Sequence, residues 1–229
     1  MGEKAIYFSP TGGVKTVAEI LCNYLIDFTL SGKELNFKSE DVCYILAPVY
    51  YGRVPQVFIE RLSEIKGNGA KAVVVAVYGN REFDDALLEL KNTSEKIGFK
   101  VVAGIGAIAQ HSIANTIGEG RPNKSDIEQL NIFKEKINKK IESGKIGVEV
   151  VGNYPYKEIG TMPDYPRANK NCTKCGVCVE NCPVGAIISI AQTLIMEAVQ
   201  THNRHKSGKG PGAKISNRPN SIIRRGKKL

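Results

Sequence analysis

The chain has no tryptophan, three histidines and three methionines in 229 residues. Without an indole, any stacking on a flat ligand falls to its tyrosines and phenylalanines. No apolar run approaches the roughly 20 residues that a membrane-spanning helix needs, and no stretch reads as a secretory signal. The expected setting is therefore cytoplasmic and reducing, where thiols stay free and disulfides are disfavoured. Acidic residues are missing from Thr201 to the end, a stretch that holds nine Lys/Arg. Those nine account for the whole formal charge of +9, so residues 1–200 carry equal numbers of acids and bases. A neutral body argues against nucleic acid as a partner. The tail lacks interleaved aromatics and so offers bases no stacking platform.

Cysteine is scarce except in one place. Of six, Cys22 and Cys43 stand apart, and they read as inert core thiols on a helix and a buried strand. The other four form Cys172-Thr-Lys-Cys175-Gly-Val-Cys178-Val-Glu-Asn-Cys182-Pro183. The spacing C-x2-C-x2-C-x3-C-P is that of bacterial ferredoxins, which hold [4Fe-4S] clusters on cysteine thiolates. In two-cluster ferredoxins the fourth cysteine of such a run serves the other cluster. Here no second run exists, because no cysteine follows Cys182. Three readings stay open at this point: Cys182 closes a single cluster with Cys172, Cys175 and Cys178; a non-cysteine ligand completes a three-thiolate site; or the second half of the domain is lost. Four thiolates also suit a tetrahedral zinc knot.

Along the chain, residues 4–8, 42–47, 72–78 and 100–108 read as strands, and 14–27, 55–65, 84–97 and 125–141 as helices. Strands 42–47 and 72–78 are near-continuous apolar runs, as expected for strands covered on both faces. Pro55 suits a helix start, Gly98 and Gly144 suit helix stops, and Ser125 is the expected N-cap of the last helix. Alternating strands and helices imply an α/β fold with a doubly wound parallel sheet. The expected organisation is a flavodoxin-like domain over 1–145, a linker over 146–168, a ferredoxin-type domain over 169–190 and a disordered basic tail over 191–229. The change of character after Ile187 reads as a shifted frame or a decayed end. His202 and His205 lie in that tail and are poor candidates for cluster ligands.

In a doubly wound sheet the loops at the carboxyl ends of the strands share one edge, where ligands bind. The first, Ser9-Pro-Thr11-Gly12-Gly13, follows a strand and opens a helix, so backbone amides and the hydroxyls of Ser9 and Thr11 suit a phosphate. It is not a Walker A loop, because the G-K-[ST] ending is absent. The second, Pro48-Val-Tyr50-Tyr51-Gly52-Arg53, offers stacking rings and a cation. The third, Tyr78-Gly79-Asn80-Arg81, offers another ring and amides. Together they suit a flat redox-active ring. Gly104-Ile-Gly106-Ala-Ile-Ala109 spells a dinucleotide motif but lies inside a strand, so it reads as close backbone packing. His111, near a strand end, reads as a satisfied structural histidine.

Tyr7-Phe-Ser-Pro-Thr-Gly-Gly13, Pro48-Val-Tyr-Tyr-Gly-Arg-Val-Pro55, Tyr78-Gly-Asn-Arg81 with Asp85, His111-Ser112, Gly120-Arg-Pro122 and the cysteine run together resemble the flavodoxin–ferredoxin fusion family, sometimes labelled ferrodoxins. The resemblance spans about residues 3–187. It implies an FMN-binding domain that relays electrons to or from a [4Fe-4S] domain, with redox proteins or a small-molecule oxidant as partners. By position, Ser9, Thr11, Gly12 and Gly13 would hold the FMN phosphate. Tyr50, Tyr51, Gly52, Tyr78, Gly79 and Asn80 would flank the flavin. Three departures stand out: Val14 replaces the usual last threonine of the phosphate loop, no tryptophan is present, and the second cysteine run is missing. These keep two alternatives open: an FMN-only protein with a decayed cluster site, or a non-catalytic module with a zinc knot and a basic tail.

Overall fold

The computed structural model describes residues 2–159 and 168–187. The basic tail, both of its histidines, residues 160–167 of the expected linker and 188–190 of the cysteine domain lie outside the described residues. The elements run β1 (Glu3–Tyr7), α1 (Gly13–Leu21), β2 (Leu25–Asp27), β3 (Leu35–Asn36), β4 (Val42–Pro48), α2 (Gln56–Leu62), β5 (Ile65–Lys66), β6 (Lys71–Tyr78), α3 (Ala86–Lys96), β7 (Lys100–Ile108), α4 (Lys124–Glu142) and a short α5 (Val177–Glu180). Five strands form one sheet in the order β2-β1-β4-β6-β7, and every pairing is parallel. Counting only those five, the order is 2-1-3-4-5, the flavodoxin-like doubly wound arrangement. β3 and β5 pair in parallel as a small side sheet.

Two apolar clusters sandwich the sheet, and strand alternation deals residues to each. On one face Ile6, Phe8, Cys43, Ile45, Val74 and Ala76 pack with Phe58 and Leu62 of α2 and Leu87 and Leu90 of α3. On the other, Tyr7, Tyr44, Leu46, Val73 and Val75 pack with Val14, Val17 and Leu21 of α1 and Leu130, Ile137 and Ile141 of α4. β4 is buried at all seven positions, which is why its sequence shows no polar alternation. Each fully buried aliphatic or aromatic side chain there contributes roughly 1.5–3 kcal/mol. Cys22 and Cys43 are buried, and burial pushes both thiols up, away from the reactive thiolate. One buried polar side-chain atom among the described residues has no partner, the Tyr44 hydroxyl.

Several expected boundaries shift. The helix expected over 14–27 ends at Leu21, because Cys22 turns extended (φ −149°, ψ 143°) and Leu25–Asp27 pairs with β1 instead. Parallel pairing at a sheet edge outweighs the helical spacing of Tyr24 and Leu25, and Tyr24 is left exposed. The helix expected over 55–65 ends at Leu62, and Ile65 joins β5. Pro55 stands one position earlier than the first helical residue, as the N-cap. Asn123, not Ser125, caps α4: its side chain accepts the Asp126 amide, and the Asp126 carboxylate accepts the Asn123 amide. That is a reciprocal capping box. Gly98 and Gly144, both at positive φ, stand just past the ends of α3 and α4 as expected. No helix among the described residues is long and apolar enough to cross a membrane.

Candidate functional site

The chain reverses direction across the sheet between β2 and β4, so the crevice at the carboxyl ends of β1 and β4 is the switch point where such folds bind ligands. The 9–13 loop leaves β1 there. Its Ser9 amide donates to Thr29 Oγ1 at 2.9 Å, and its Ser9 Oγ accepts the Lys15 amide at 3.0 Å. Gly12 caps α1 at φ 89°, a conformation that only glycine adopts without strain, and as the N-cap it brings no side-chain acceptor of its own. Among the described residues, the amides of Thr11, Gly13 and Val14 have no acceptor in the protein. The first turn of α1 holds no acidic residue, so its positive end is uncompensated. These free amides, with the exposed Thr11, fit a phosphate group. Val14 is buried in the core and offers only its amide, and the Thr16 hydroxyl donates to Gly12 O at 3.4 Å.

The second loop is a tight hairpin. Tyr50 and Arg53 exchange both backbone hydrogen bonds, at 2.9 and 3.1 Å, around Tyr51 (φ 55°) and Gly52 (φ 81°). Tyr51 is exposed, and Tyr50 stands at the rim, where burial pushes its hydroxyl up to about 12. Gly52 is fixed by its neighbours: a Cβ there would lie 2.2 Å from an Asp84 carboxylate oxygen, and its carbonyl accepts the Asp85 amide at 3.0 Å. The second and third loops are thus joined. In the third, a Cβ on Gly79 would lie 2.6 Å from the His111 ring. Tyr78 meets Phe83 edge-on, with ring centroids 5.3 Å apart. Among the described residues, five non-glycines take positive φ, and Tyr51, Asn80 and Asp84 of these lie on this one edge. Such backbone strain gathers at ligand sites more often than elsewhere.

His111 has the satisfied ring contacts expected of a structural histidine. Its Nδ1 accepts the amides of Ile113 (3.2 Å) and Ala114 (3.0 Å), which places the proton of the neutral ring on Nε2. Gly104 and Gly106 are packing glycines: Cβ atoms there would lie 2.6 Å from Val150 and 3.0 Å from Phe83.

The Arg53 cation of the second loop is engaged within the protein. It grips Glu89 of α3 through Nε (2.8 Å) and Nη2 (2.6 Å), donates to the Lys157 carbonyl at 2.6 Å and lies over the Tyr156 ring. Glu89 also accepts the Val54 amide at 2.9 Å. Asp85 completes this clasp, since its carboxylate accepts the amides of Asn153 (2.7 Å) and Lys157 (2.6 Å) and the Asn153 carboxamide (3.0 Å). Burial pushes the Asp85 carboxyl up, but those donors, with Arg53 nearby, hold it below the usual carboxylate value. The segment over 148–157 is therefore pinned to the loops at the ligand edge.

The cysteine segment turns on Lys174 (φ 57°) and Gly176 (φ 81°), then makes the single turn of α5. Cys172, Cys175 and Cys178 are exposed, and Cys182 is buried. The Val177 amide, the Thr173 hydroxyl and its own amide hold the Cys175 thiol below its ordinary value. Cys182 Sγ accepts the Ala186 amide at 3.2 Å. Thiolates that receive N–H donors suit iron–sulfur ligation. Among the described residues no three ligand-type side chains converge closely enough to hold one metal ion. A four-iron cluster needs a wider spread, with one thiolate on each iron.

Residues 169–188 match the family of 4Fe-4S binding domains. That match favours the cluster over the zinc knot. No curated protein is matched. Among solved structures, a flavodoxin from Archaea is 15% identical, with 62% of this chain and 99% of that one covered and a TM-score of 0.43. Flavodoxin 2 from Bacillus cereus is 14% identical, with 61% and 99% covered and a TM-score of 0.45. The flavodiiron core of Flv1 from Synechocystis sp. PCC6803 is 13% identical, with 63% and 37% covered and a TM-score of 0.45. The fold assignment rests on the strand order itself.

Proposed function

We propose that this protein passes electrons between an FMN at the carboxyl edge of the sheet and a [4Fe-4S] cluster held by Cys172, Cys175, Cys178 and Cys182. One juxtaposition carries the reading: a segment of 4Fe-4S type follows, on one chain, a doubly wound sheet with an unpartnered, amide-rich loop at its switch point. When bound, FMN supplies two-electron or hydride exchange, and the cluster supplies one-electron exchange.

The chain's own part is to bind and orient. The amides of Thr11, Gly13 and Val14, with the hydroxyls of Ser9 and Thr11, hold the phosphate, and Gly12 gives the loop its turn. Tyr50, Tyr51 and Gly52 form one wall of the ring site, and Tyr78, Gly79 and Asn80 the other. The Arg53–Glu89 pair and the Asp85 clasp hold those walls in register. In this reading Cys182 closes the same cluster as the other three. Redox proteins or a small-molecule oxidant serve as donor and acceptor, in a reducing, cytoplasmic setting.

The spectrum of anaerobically purified protein tests this reading. Flavin bands over a broad sulfide-to-iron absorption, both bleached by reductant, are expected. A colourless, zinc-loaded protein would overturn it. Flavin without iron or sulfide would leave only the FMN half.

A further inference from the structure

The cysteine segment and the sheet domain meet at one cation. Arg61, on α2, donates from Nη1 to the carbonyls of Phe28 (2.8 Å) and Thr29 (2.6 Å). Its Nη2 donates to the carbonyl of Leu30 (3.1 Å) and to that of Pro183, the residue after Cys182. The guanidinium carbon lies 5.7 Å from the Phe8 ring centroid, at the end of β1. Planar geometry matters here, because the guanidinium offers five N–H donors in a fixed fork, and four backbone carbonyls share it. The contact continues into the phosphate loop. Thr29, whose carbonyl Arg61 holds, accepts the Ser9 amide on its hydroxyl, and Ser9 Oγ in turn accepts the Lys15 amide in α1. Pro183, Arg61, Thr29 and Ser9 thus form an unbroken chain of hydrogen-bonded residues from the cysteine run to the phosphate loop.

Local packing does not explain that contact. α2 is held by Phe58 and Leu62 in the core, and Arg61 is only half-buried, so the helix does not need this side chain to seat it. Among the described residues of the cysteine segment, Cys182 and Ala186 alone are buried. They flank Pro183, the point that Arg61 grips. Desolvation pushes the Arg61 guanidinium down, while Glu64, Asp27 and Glu60 push it up and offset part of its charge.

We propose that Arg61 is a positioning residue that fixes the Cys182-Pro183 turn against the phosphate-loop edge of the sheet and so sets the path between the two cofactor sites. The inference rests on the function proposed above. Transfer along that path moves one electron and no atoms, so its rate depends on the separation that Arg61 maintains. The positive charge one residue from a cluster ligand also raises the cluster's reduction potential.

Two variants of the full chain separate charge from geometry. Arg61→Met removes both, whereas Arg61→Lys keeps the charge and loses the fork. In the cofactor-free protein, amide hydrogen exchange at Cys182, Gly185 and Ala186 should rise about tenfold or more in Arg61→Met, with amides of β4 and β6 unchanged. A smaller rise is expected in Arg61→Lys. In the loaded protein, flash-initiated transfer between flavin and cluster should slow in both variants at unchanged flavin and iron content. The cluster potential should fall in Arg61→Met and hold in Arg61→Lys. Unchanged exchange and an unchanged transfer rate in a folded Arg61→Met protein would overturn the proposal. If Arg61→Met does not fold, Arg61→Lys decides: unchanged exchange and rate would show that the fork is dispensable. Wild-type protein without flavin or iron would sink the proposed function instead, while the exchange result would still report on the Arg61 contact.

Discussion

Replacing Glu89 with alanine is the most informative single perturbation of the clasp. The Glu89 side chain is 8% exposed and that of Arg53 16%, so this pair is largely shielded from water. Glu89 accepts three bonds, two from Arg53 and one from the Val54 amide. Removing it leaves a shielded cation with only the Lys157 carbonyl, and a buried amide with nothing. Breaking a buried pair from one side costs roughly 3–5 kcal/mol, mostly because the remaining charge stays desolvated. Urea denaturation reads this directly. With a slope of about 2 kcal/mol per molar urea, the midpoint should fall by about 2 M. Glu89→Gln keeps the shape and one good acceptor, and should cost less. Glu19→Gln is the control, since Lys15–Glu19 is an i,i+4 pair at 3.8 Å whose side chains are both about half exposed, and is worth about 0.5 kcal/mol or less. A Glu89→Ala cost no larger than that of the control would refute the claim that the pair is a shielded strut. It would also remove the reason for assigning the 50–53 hairpin its fixed geometry.

Three further outcomes follow from the geometry. Gly12→Ala and Gly52→Ala both force alanine into left-handed backbone, costing about 1–2 kcal/mol each. Only Gly52→Ala also meets an atom, the Asp84 carboxylate, so it should destabilise more by thermal melting, whereas Gly12→Ala should mainly weaken FMN binding. Tyr44→Phe removes the buried hydroxyl that has no partner and should leave stability unchanged or raise it by about 1–3 kcal/mol in the same urea assay. The Asp85 carboxyl is lowered on folding, so the stability it contributes is present above the unfolded value of about 3.9 and is lost as pH falls through the folded value. Asp85→Asn should flatten the acid limb of the pH–stability curve and free the 153–157 segment to proteolysis.

The central strands were legible because burial on both faces writes itself as an unbroken apolar run. Val42–Pro48 and Lys71–Tyr78 fall within a residue or two of the expected spans. Parallel order then followed from the alternation with helices, and with it the gathering of the three loops on one edge. The misses are places where a distant partner overrules a local signal. Leu25–Asp27 fits a helical period, yet β1 takes it as an edge strand. Ser125 is a good N-cap by type, yet Asn123 with Asp126 makes a reciprocal one. The partners of Arg53 were not legible in its own loop, because Glu89 and Lys157 are 36 and 104 residues away. Arg61 gave no signal at all, since its partners are backbone carbonyls, the farthest of them 122 residues on. Backbone acceptors leave no mark in composition or spacing, and neither does the clasp over 148–157.

A counted reductive titration, with flavin and iron assayed on the same anaerobic sample, tests the central claim most directly. The account predicts one FMN and four irons per chain, and an uptake of about three electrons, two at the flavin and one at the cluster. Uptake of about two electrons with flavin present and no iron would contradict the relay and leave a flavin protein alone.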